Sequence, residues 1–220
     1  EFDGKILKEM IRKTFFSVSP DETRQALNGL LLESEGDSVN LVGTDGHRLA
    51  MISRPVKSNV AKGETLSFLL PKKALSELLK LMEDEDETFG FSSQDNHLAF
   101  ICGKQVIVSR KIDGKFPNYR QVIPGDNNLK AKANKNDLTH ALKRVALLAD
   151  EKSKMVRFEI RKGPLTLVSD NTDLGAAVEE MSLEYEGEEF SIGLNAKYVL
   201  DILNVIEGDL VTLNLRIKTT

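Results

Sequence analysis

The chain contains no tryptophan, one cysteine and three histidines among its 220 residues. A single cysteine can form neither an internal disulfide nor a cysteine-rich zinc site. No stretch approaches the ~20 consecutive apolar residues that cross a bilayer. We therefore expect no membrane contact and a reducing cytoplasm as the compartment. Cys102 lies in the apolar run 98–102, which predicts a small core residue.

Aromatic residues are also scarce, at 6% of the chain, although apolar residues reach 40%. The core must therefore rest mainly on leucine, isoleucine, valine and phenylalanine. The net charge is −4, which argues against a basic nucleic-acid-binding protein of the usual kind. The length suits one large domain or two of ordinary size.

One pattern occurs twice, with a period of roughly 125 residues. Each copy opens with an amphipathic helix, predicted at 5–16 and at 137–148, and continues with a hairpin and a third strand. A second helix follows at 71–82 and at 195–206, where Pro71 and Asn195 suit a helix start. Apolar spacings of three and four predict these inward residues: Leu7, Met10, Ile11, Phe15, Leu75, Leu78, Leu79, Met82, Leu138, Ala141, Leu142, Val145, Val199, Ile202, Leu203 and Ile206. The predicted strands are 27–33, 39–43, 48–53, 88–92, 97–101, 105–110, 155–160, 165–169, 176–181 and 210–217.

This order predicts an α+β fold in which the two helices of each copy pack on one face of a mostly antiparallel sheet. The predicted domains are 1–125 and 126–220, and the polar segment 125–136 is interpreted as a short linker. Repeated units of this kind suggest sheets stacked edge to edge in an arc of a ring.

Positive charge gathers on the helices, most of all on 5–16 and 71–82, whereas the run 83–87 is wholly acidic. If the helices share one side of the sheet, that side attracts phosphates without reading bases. The alternative interpretation is an ordinary solvated helix face. The acidic run is predicted to be a solvated loop, because no spacing supplies further oxygen ligands for a metal ion.

The most distinctive string is 44–49, Thr-Asp-Gly-His-Arg-Leu. A hydrolase could use Asp45 and His47 as an acid–base pair, but no nucleophile elbow and no metal-ligand spacing accompany them. The alternative is a tight connection between strands in which Gly46 supplies an unusual backbone angle. The string 113–119, Asp-Gly-Lys-Phe-Pro-Asn-Tyr, predicts a turn and an extended segment anchored by two aromatics. No cofactor-binding loop is recognisable.

Four strings, at 26–29, 44–50, 113–119 and 195–200, resemble the bacterial DNA sliding clamp, the beta subunit of DNA polymerase III. They occur in the right order and at the right separations, and the resemblance covers essentially the whole chain as the middle and C-terminal domains. It implies a non-catalytic processivity factor whose helices line a hole around duplex DNA. Polymerase, clamp loader and repair proteins would dock through short linear motifs, and two protomers would close the ring.

The resemblance also implies two sets of site residues. The partner-peptide wall would comprise Leu27, Thr44, Gly46, His47, Arg48, Leu49, Pro117, Val122, Asn195 and Tyr198. The DNA-binding residues would be Arg24, Lys72 and Lys73, with Lys8, Arg12, Lys143 and Arg144 added from the helix faces. At every wall position the alternative is ordinary packing between domains.

The chain departs from the family pattern in several places. The first domain is absent, and two closing strands and the C-terminal tail are missing, so we expect weaker peptide binding and no closed homodimer ring from this fragment. Gln121 stands where some relatives have an arginine. Leu147 and Leu148 are expected at the exposed subunit edge. Two rival hypotheses are the hydrolase and a structural interaction module without a DNA role.

Overall fold

The computed structural model describes residues 2–55, 65–82, 88–125 and 127–216. The chain divides into two compact units, Glu1–Val122 and Ile123–Thr220, each with a hydrophobic core of its own. The predicted acidic loop at 83–87 lies outside the described residues. Within the described ranges, no helix is long and apolar enough to cross a membrane.

The described part of the first unit holds two helices and two antiparallel sheets. The helices are α1 (Gly4–Thr14) and α2 (Lys72–Leu81). The strands are β1 (Phe2–Asp3), β2 (Gly29–Glu35), β3 (Ser38–Thr44), β4 (Leu49–Pro55), β5 (Thr65–Pro71), β6 (Thr88–Gln94), β7 (His97–Cys102) and β8 (Gln105–Arg110). One sheet has the order β4-β3-β2-β5, and the other has the order β1-β6-β7-β8.

Both helices of the first unit follow the predicted amphipathic pattern. Asp3 caps α1 by accepting a hydrogen bond from the backbone N–H of Lys5, and a short 3-10 turn follows the helix. The predicted inward leucines, methionines and isoleucine are buried, and Phe15 and Leu79 pack at the edge of the same core. Helix α1 packs on β3 and β4, α2 packs on β2, β5 and β8, and the two helices touch each other. Cys102 is buried in this core, as predicted.

In the sheet β4-β3-β2-β5, the central strands β2 and β3 are buried on both faces. Leu30, Leu32 and Leu41 face the helices and belong to the main core. Leu31 and Val42 point the other way and pack with Tyr119, which comes from the segment after β8. A strand covered on both sides needs apolar residues at successive positions, which explains the uninterrupted leucines of β2.

The second unit repeats the helix–sheet arrangement. Its helices are α3 (Lys135–Val145) and α4 (Ala196–Leu203), which contact each other. Its strands are β9 (Leu129–Asn134), β10 (Met155–Ile160), β11 (Pro164–Asn171), β12 (Gly175–Ser182), β13 (Phe190–Asn195) and β14 (Leu210–Leu215). Four of them form a sheet in the order β12-β11-β10-β13, and β14 pairs with β9. The antiparallel α+β prediction is confirmed.

The buried stripe of α3 is confirmed in full, whereas that of α4 is confirmed only in part. Leu203 is buried and Val199 packs at the core edge, but Ile202 is 42% exposed. The inward face of this helix is centred on Ala196 and Leu203, so position 202 lies to one side of it.

Four strands, β1, β5, β9 and β13, were not expected from the sequence. The predicted linker 125–136 is wrong, because β9 occupies 129–134 and pairs with β14, and α3 begins directly afterwards. Ala131 and Ala133 are its buried residues, and alanine adds little to a hydrophobic pattern. Strands β5 and β13 each lie directly before the second helix of their unit.

Candidate functional site

The turn at 44–49 is held by its own side chains. The Thr44 hydroxyl donates to the carbonyl of Arg48 at 2.6 Å and accepts the N–H of Gly46 at 3.1 Å. The Asp45 carboxylate is buried and accepts the backbone N–H groups of His47 and Arg48 at 2.9 and 3.1 Å. Gly46 has φ +91°, a region that favours glycine. The sequence therefore specifies this turn locally.

Arg48 ties the turn to the end of α1. Its Nε donates to Asp45 at 3.0 Å, and Nη2 donates to the carbonyl of Phe16 at 2.7 Å. The guanidinium also lies 5.4 Å from the centre of the Phe16 ring. Arg48 is therefore a structural support of the turn, and its predicted donation to a bound peptide stays a prediction.

The acid–base interpretation of Asp45 and His47 is not favoured by this geometry. The carboxylate faces two backbone amides and the Arg48 guanidinium, while the His47 side chain is exposed. Among the residues that the structure describes, no three histidine, cysteine or acidic side chains are grouped to hold a metal ion.

Leu27 lies beside this turn, at the end of a short 3-10 helix, Gln25–Leu27. Its carbonyl accepts the N–H of Ser19 at 3.0 Å, and its side chain is half-buried. Arg24, just before it, donates from Nη1 to the carbonyl of Asp45 at 3.2 Å. The loop that carries Leu27 is thereby fastened to the turn that carries the other predicted wall residues.

The segment 111–122 brings Pro117 and Val122 to the surface of the same unit. Phe116 packs in an apolar cluster with Ala26 and Leu49, which are neighbours of the turn and of the Leu27 loop. Val122 is 67% exposed, and Pro117 is exposed as well. Eight of the ten predicted wall residues thus lie on three adjoining segments of the first unit.

The other two wall residues, Asn195 and Tyr198, lie in the second unit at the start of α4. Asn195 caps this helix, as predicted, by accepting the N–H groups of Lys197 and Tyr198 at 3.0 and 3.3 Å. Its amide also donates to the carbonyl of Ser153 at 2.9 Å. One amide hydrogen of Asn195 therefore remains for a further acceptor.

A cavity of about 470 Å³ beside the start of α2 gathers four cationic side chains, Lys72, Lys73, Arg110 and Lys111. Two carboxylates share its lining, so the cavity is net positive. The sequence singled out the two lysines of α2 but not Arg110, because only the fold places the end of β8 next to α2. The ammonium group of Lys111 already makes one hydrogen bond within the protein, because its Nζ donates to the carbonyl of Asp95.

The remaining predicted DNA-binding residues differ in their solvent exposure and in their ion pairs. Arg12 and Lys143 are exposed, and Lys8 is half-buried. Arg144 forms a two-pronged ion pair with Glu179, at 2.7 and 3.1 Å. This pair lowers the pKa of Glu179 through the hydrogen bonds from Arg144. Arg144 is therefore less available to a phosphate than Lys143.

Two family models match this chain over nearly its full length. The DNA polymerase III beta subunit, central domain, matches residues 1–118, and the C-terminal domain of the same subunit matches residues 120–219. The chain belongs to the DNA polymerase III beta subunit family. The resemblance seen in the four sequence strings is thereby confirmed.

Named relatives agree with this family. The beta sliding clamp of Caulobacter vibrioides is 39% identical over 211 residues, which are 94% of this chain and 56% of the relative. The beta sliding clamp of Escherichia coli K12 is 33% identical over 201 residues, which are 91% of this chain and 54% of the relative. The chain spans a little over half the length of these relatives.

Solved sliding clamps share the fold. A Pseudomonas aeruginosa DnaN sliding clamp bound to griselimycin matches with a TM-score of 0.92 and 32% identity, over 98% of this chain and 58% of that one. A Bartonella birtlesii DnaN sliding clamp bound to griselimycin gives 0.91 and 33%, over 97% and 58%. The clamp-domain prediction for the fold is therefore confirmed.

Proposed function

We propose that this chain forms the central (1–125) and C-terminal (126–220) domains of a cytoplasmic sliding clamp, a non-catalytic processivity factor for a DNA polymerase. The observation that carries this proposal is the family match, which extends over both units. In the native protein, two protomers would close a ring around duplex DNA. Leu147, which is 78% exposed, and Leu148 would lie at the subunit edge.

The DNA side of the proposal rests on charge rather than on base recognition. The basic cavity beside α2 and the exposed Arg12, Arg24 and Lys143 can attract phosphates at any sequence. Contacts of this kind fit a protein that slides along duplex DNA.

The partner side rests on the three adjoining segments of the first unit. Leu27, Leu49, Pro117 and Val122 offer apolar surface next to the locked turn. Clamp relatives have been solved with griselimycin bound, which shows that those proteins accept a ligand. We propose that polymerase, clamp loader and repair proteins dock on this wall through short apolar peptides, and we propose Asn195 and Tyr198 as further peptide-binding residues.

The DNA function is tested by comparing how long the protein is retained on circular and on linear DNA. The native protein would be loaded by a clamp loader onto nicked circular duplex DNA, separated from free protein, and then treated with a restriction enzyme that linearises the circle. A clamp stays on the circle and slides off the linear product. Equal retention on both forms would contradict encirclement.

The docking function is tested with griselimycin as the probe. Saturable binding is expected, and Val122→Ala should weaken it because an exposed apolar wall residue is lost. Lys104→Ala, in the turn after β7, is the matched surface control. The wall assignment fails if griselimycin binds equally well to the native protein and to Val122→Ala.

A further inference from the structure

The segment 111–122 carries two predicted wall residues but contains little regular structure of its own. Its one regular element is a short 3-10 helix, Tyr119–Gln121. Pro117 lies just before this helix and Val122 directly after it, and both are exposed. The position of the two wall residues therefore depends on whatever fixes Tyr119 and its neighbours.

Tyr119 is the buried anchor of the segment, with 4% of its surface exposed. Its ring packs on Leu31, Val42 and Leu69, on the face of the sheet that points away from the helices. Its hydroxyl donates to the Glu33 carboxylate at 2.6 Å, across 86 positions of sequence. A buried aromatic with a hydroxyl bonded to a carboxylate has one favoured placement, because rotation or sliding breaks the charge-assisted bond.

The surroundings of the Glu33 carboxylate favour its charged form, which accepts the hydrogen bond from Tyr119. Burial alone would raise the pKa of Glu33, but hydrogen bonds from Tyr119 and Arg120 outweigh it and bring the pKa below its usual value. Arg120 also reaches Glu35 at 3.1 Å, and its guanidinium lies 5.6 Å from the centre of the Tyr119 ring. The carboxylate therefore receives two side chains of the segment at once.

Apolar packing fills only part of the space under the segment. A cavity of about 520 Å³ lies between the segment and the sheet, lined by residues that include Leu31, Phe68 and Phe116. A segment above such a cavity has room to shift when its polar tether is removed. The hydrogen bond to Glu33 therefore adds a directional restraint where apolar packing leaves open space.

We propose that Tyr119, fastened by Glu33, is a positioning residue for partner docking that presents Pro117 and Val122 in the binding arrangement. This inference rests on the proposed docking function. Tyr119 contacts no ligand itself. Its role is to keep the binding-competent arrangement populated in the free protein, so that a ligand does not have to select a minor state.

The test compares Tyr119→Phe and Glu33→Gln with the native protein by griselimycin binding kinetics. Loss of pre-organisation lowers the competent fraction, so the association rate should fall about five-fold while the dissociation rate stays unchanged. Val122→Ala removes a direct contact and should instead raise the dissociation rate. Glu35→Gln, which removes only the outer partner of Arg120, is the matched control and should leave both rates within about two-fold.

Further readouts separate positioning from general destabilisation. Tyr119→Phe keeps the packed ring, so retention on circular DNA should match that of the native protein. Unchanged association rates in both variants, or the same loss in Glu35→Gln, would overturn the inference. Failure of the native protein itself to bind griselimycin would instead contradict the proposed docking function. If Tyr119→Phe does not fold, Glu33→Gln alone decides.

Discussion

The guanidinium of Arg24 donates a hydrogen bond to the backbone carbonyl of Asp45 across 3.2 Å. Arg24 therefore connects the proposed DNA-binding residues with the proposed partner wall. Arg24 is exposed and belongs to the proposed DNA-binding set, while Asp45 organises the turn of the proposed partner wall. The two proposed sites of the first unit share this hydrogen bond, so a substitution of Arg24 should affect both DNA binding and partner binding.

Replacing Arg24 by alanine should weaken DNA binding and, to a smaller degree, griselimycin binding. The slope of log affinity against log salt concentration should fall by about 0.9 if one phosphate contact is lost. Loss of one support of the turn should weaken griselimycin about two- to five-fold. Asp21→Asn is the control, since it removes the 3.6 Å pair with Arg24 but leaves the bond to Asp45. A variant that loses DNA affinity alone would show that this bond does not support the wall.

Replacing Asp45 by alanine should destabilise the first unit. The carboxylate satisfies two backbone N–H groups and the guanidinium of Arg48, whose side chain is only 15% exposed. Leaving these donors unpaired should cost about 2–4 kcal/mol in the free energy of unfolding, measured with urea. His47→Ala keeps the backbone N–H and removes an exposed ring, so it should change stability by less than about 0.5 kcal/mol. Equal stability of the two variants would contradict the role given to Asp45.

Reversing the charge of the basic cavity should reduce retention on DNA. The double variant Lys72→Glu/Arg110→Glu replaces two of the four cations that line it. Retention of the native protein on nicked circular DNA should fall and should become less sensitive to salt, because fewer counterions are released. The double variant Lys104→Glu/Lys162→Glu, in the turns after β7 and β10, changes the net charge by the same amount and is the charge-matched control. Equal losses in both variants would indicate a general effect of net charge.

The ion pair between Glu9 and Arg54 should make stability depend on pH in the acid range. Hydrogen bonds from Arg54 and Lys13 lower the pKa of Glu9 from 4.5 to about 2. Because the folded-state pKa is the lower one, the stabilisation is complete above pH 4.5 and is lost as the pH falls toward 2. Urea unfolding at several pH values should show that Glu9→Gln is less stable than the native protein at pH 6 and that the difference shrinks on acidification. Glu77→Gln removes the exposed pair with Lys80 and should show no such trend.

The helices and most strands were predictable because their signal is local. The apolar stripes of α1, α2 and α3 follow the helical period over three turns and were placed correctly. Strand β9 was missed because its buried residues, Ala131 and Ala133, alternate with lysines and carry almost no hydrophobic contrast. The exposed Ile202 shows the opposite failure, in which a strongly apolar residue lies beside the stripe rather than within it.

The site was predictable where one string holds all of its partners. The turn at 44–49 closes on itself, so its residues could be identified together. Tyr119 and Glu33 are far apart in sequence, and no spacing rule joins a tyrosine to a glutamate 86 residues away. Arg110 enters the basic cavity only through the adjacency of β8 and α2. Such long-range neighbours depend on the register and order of the strands.

The segment 111–122 also covers the apolar face of β2 and β3 that points away from the helices. Leu31, Val42 and Leu69 form an aliphatic surface on which Tyr119 and Phe116 pack, and lifting these two rings away would expose it to water. Proteolytic cleavage of this segment, or a substitution that disrupts its short helix, would therefore expose an apolar sheet surface. Such surfaces bind chaperones and promote aggregation. Natural selection on the segment 111–122 should consequently act on the solubility of the protein in the cell as well as on its affinity for partners.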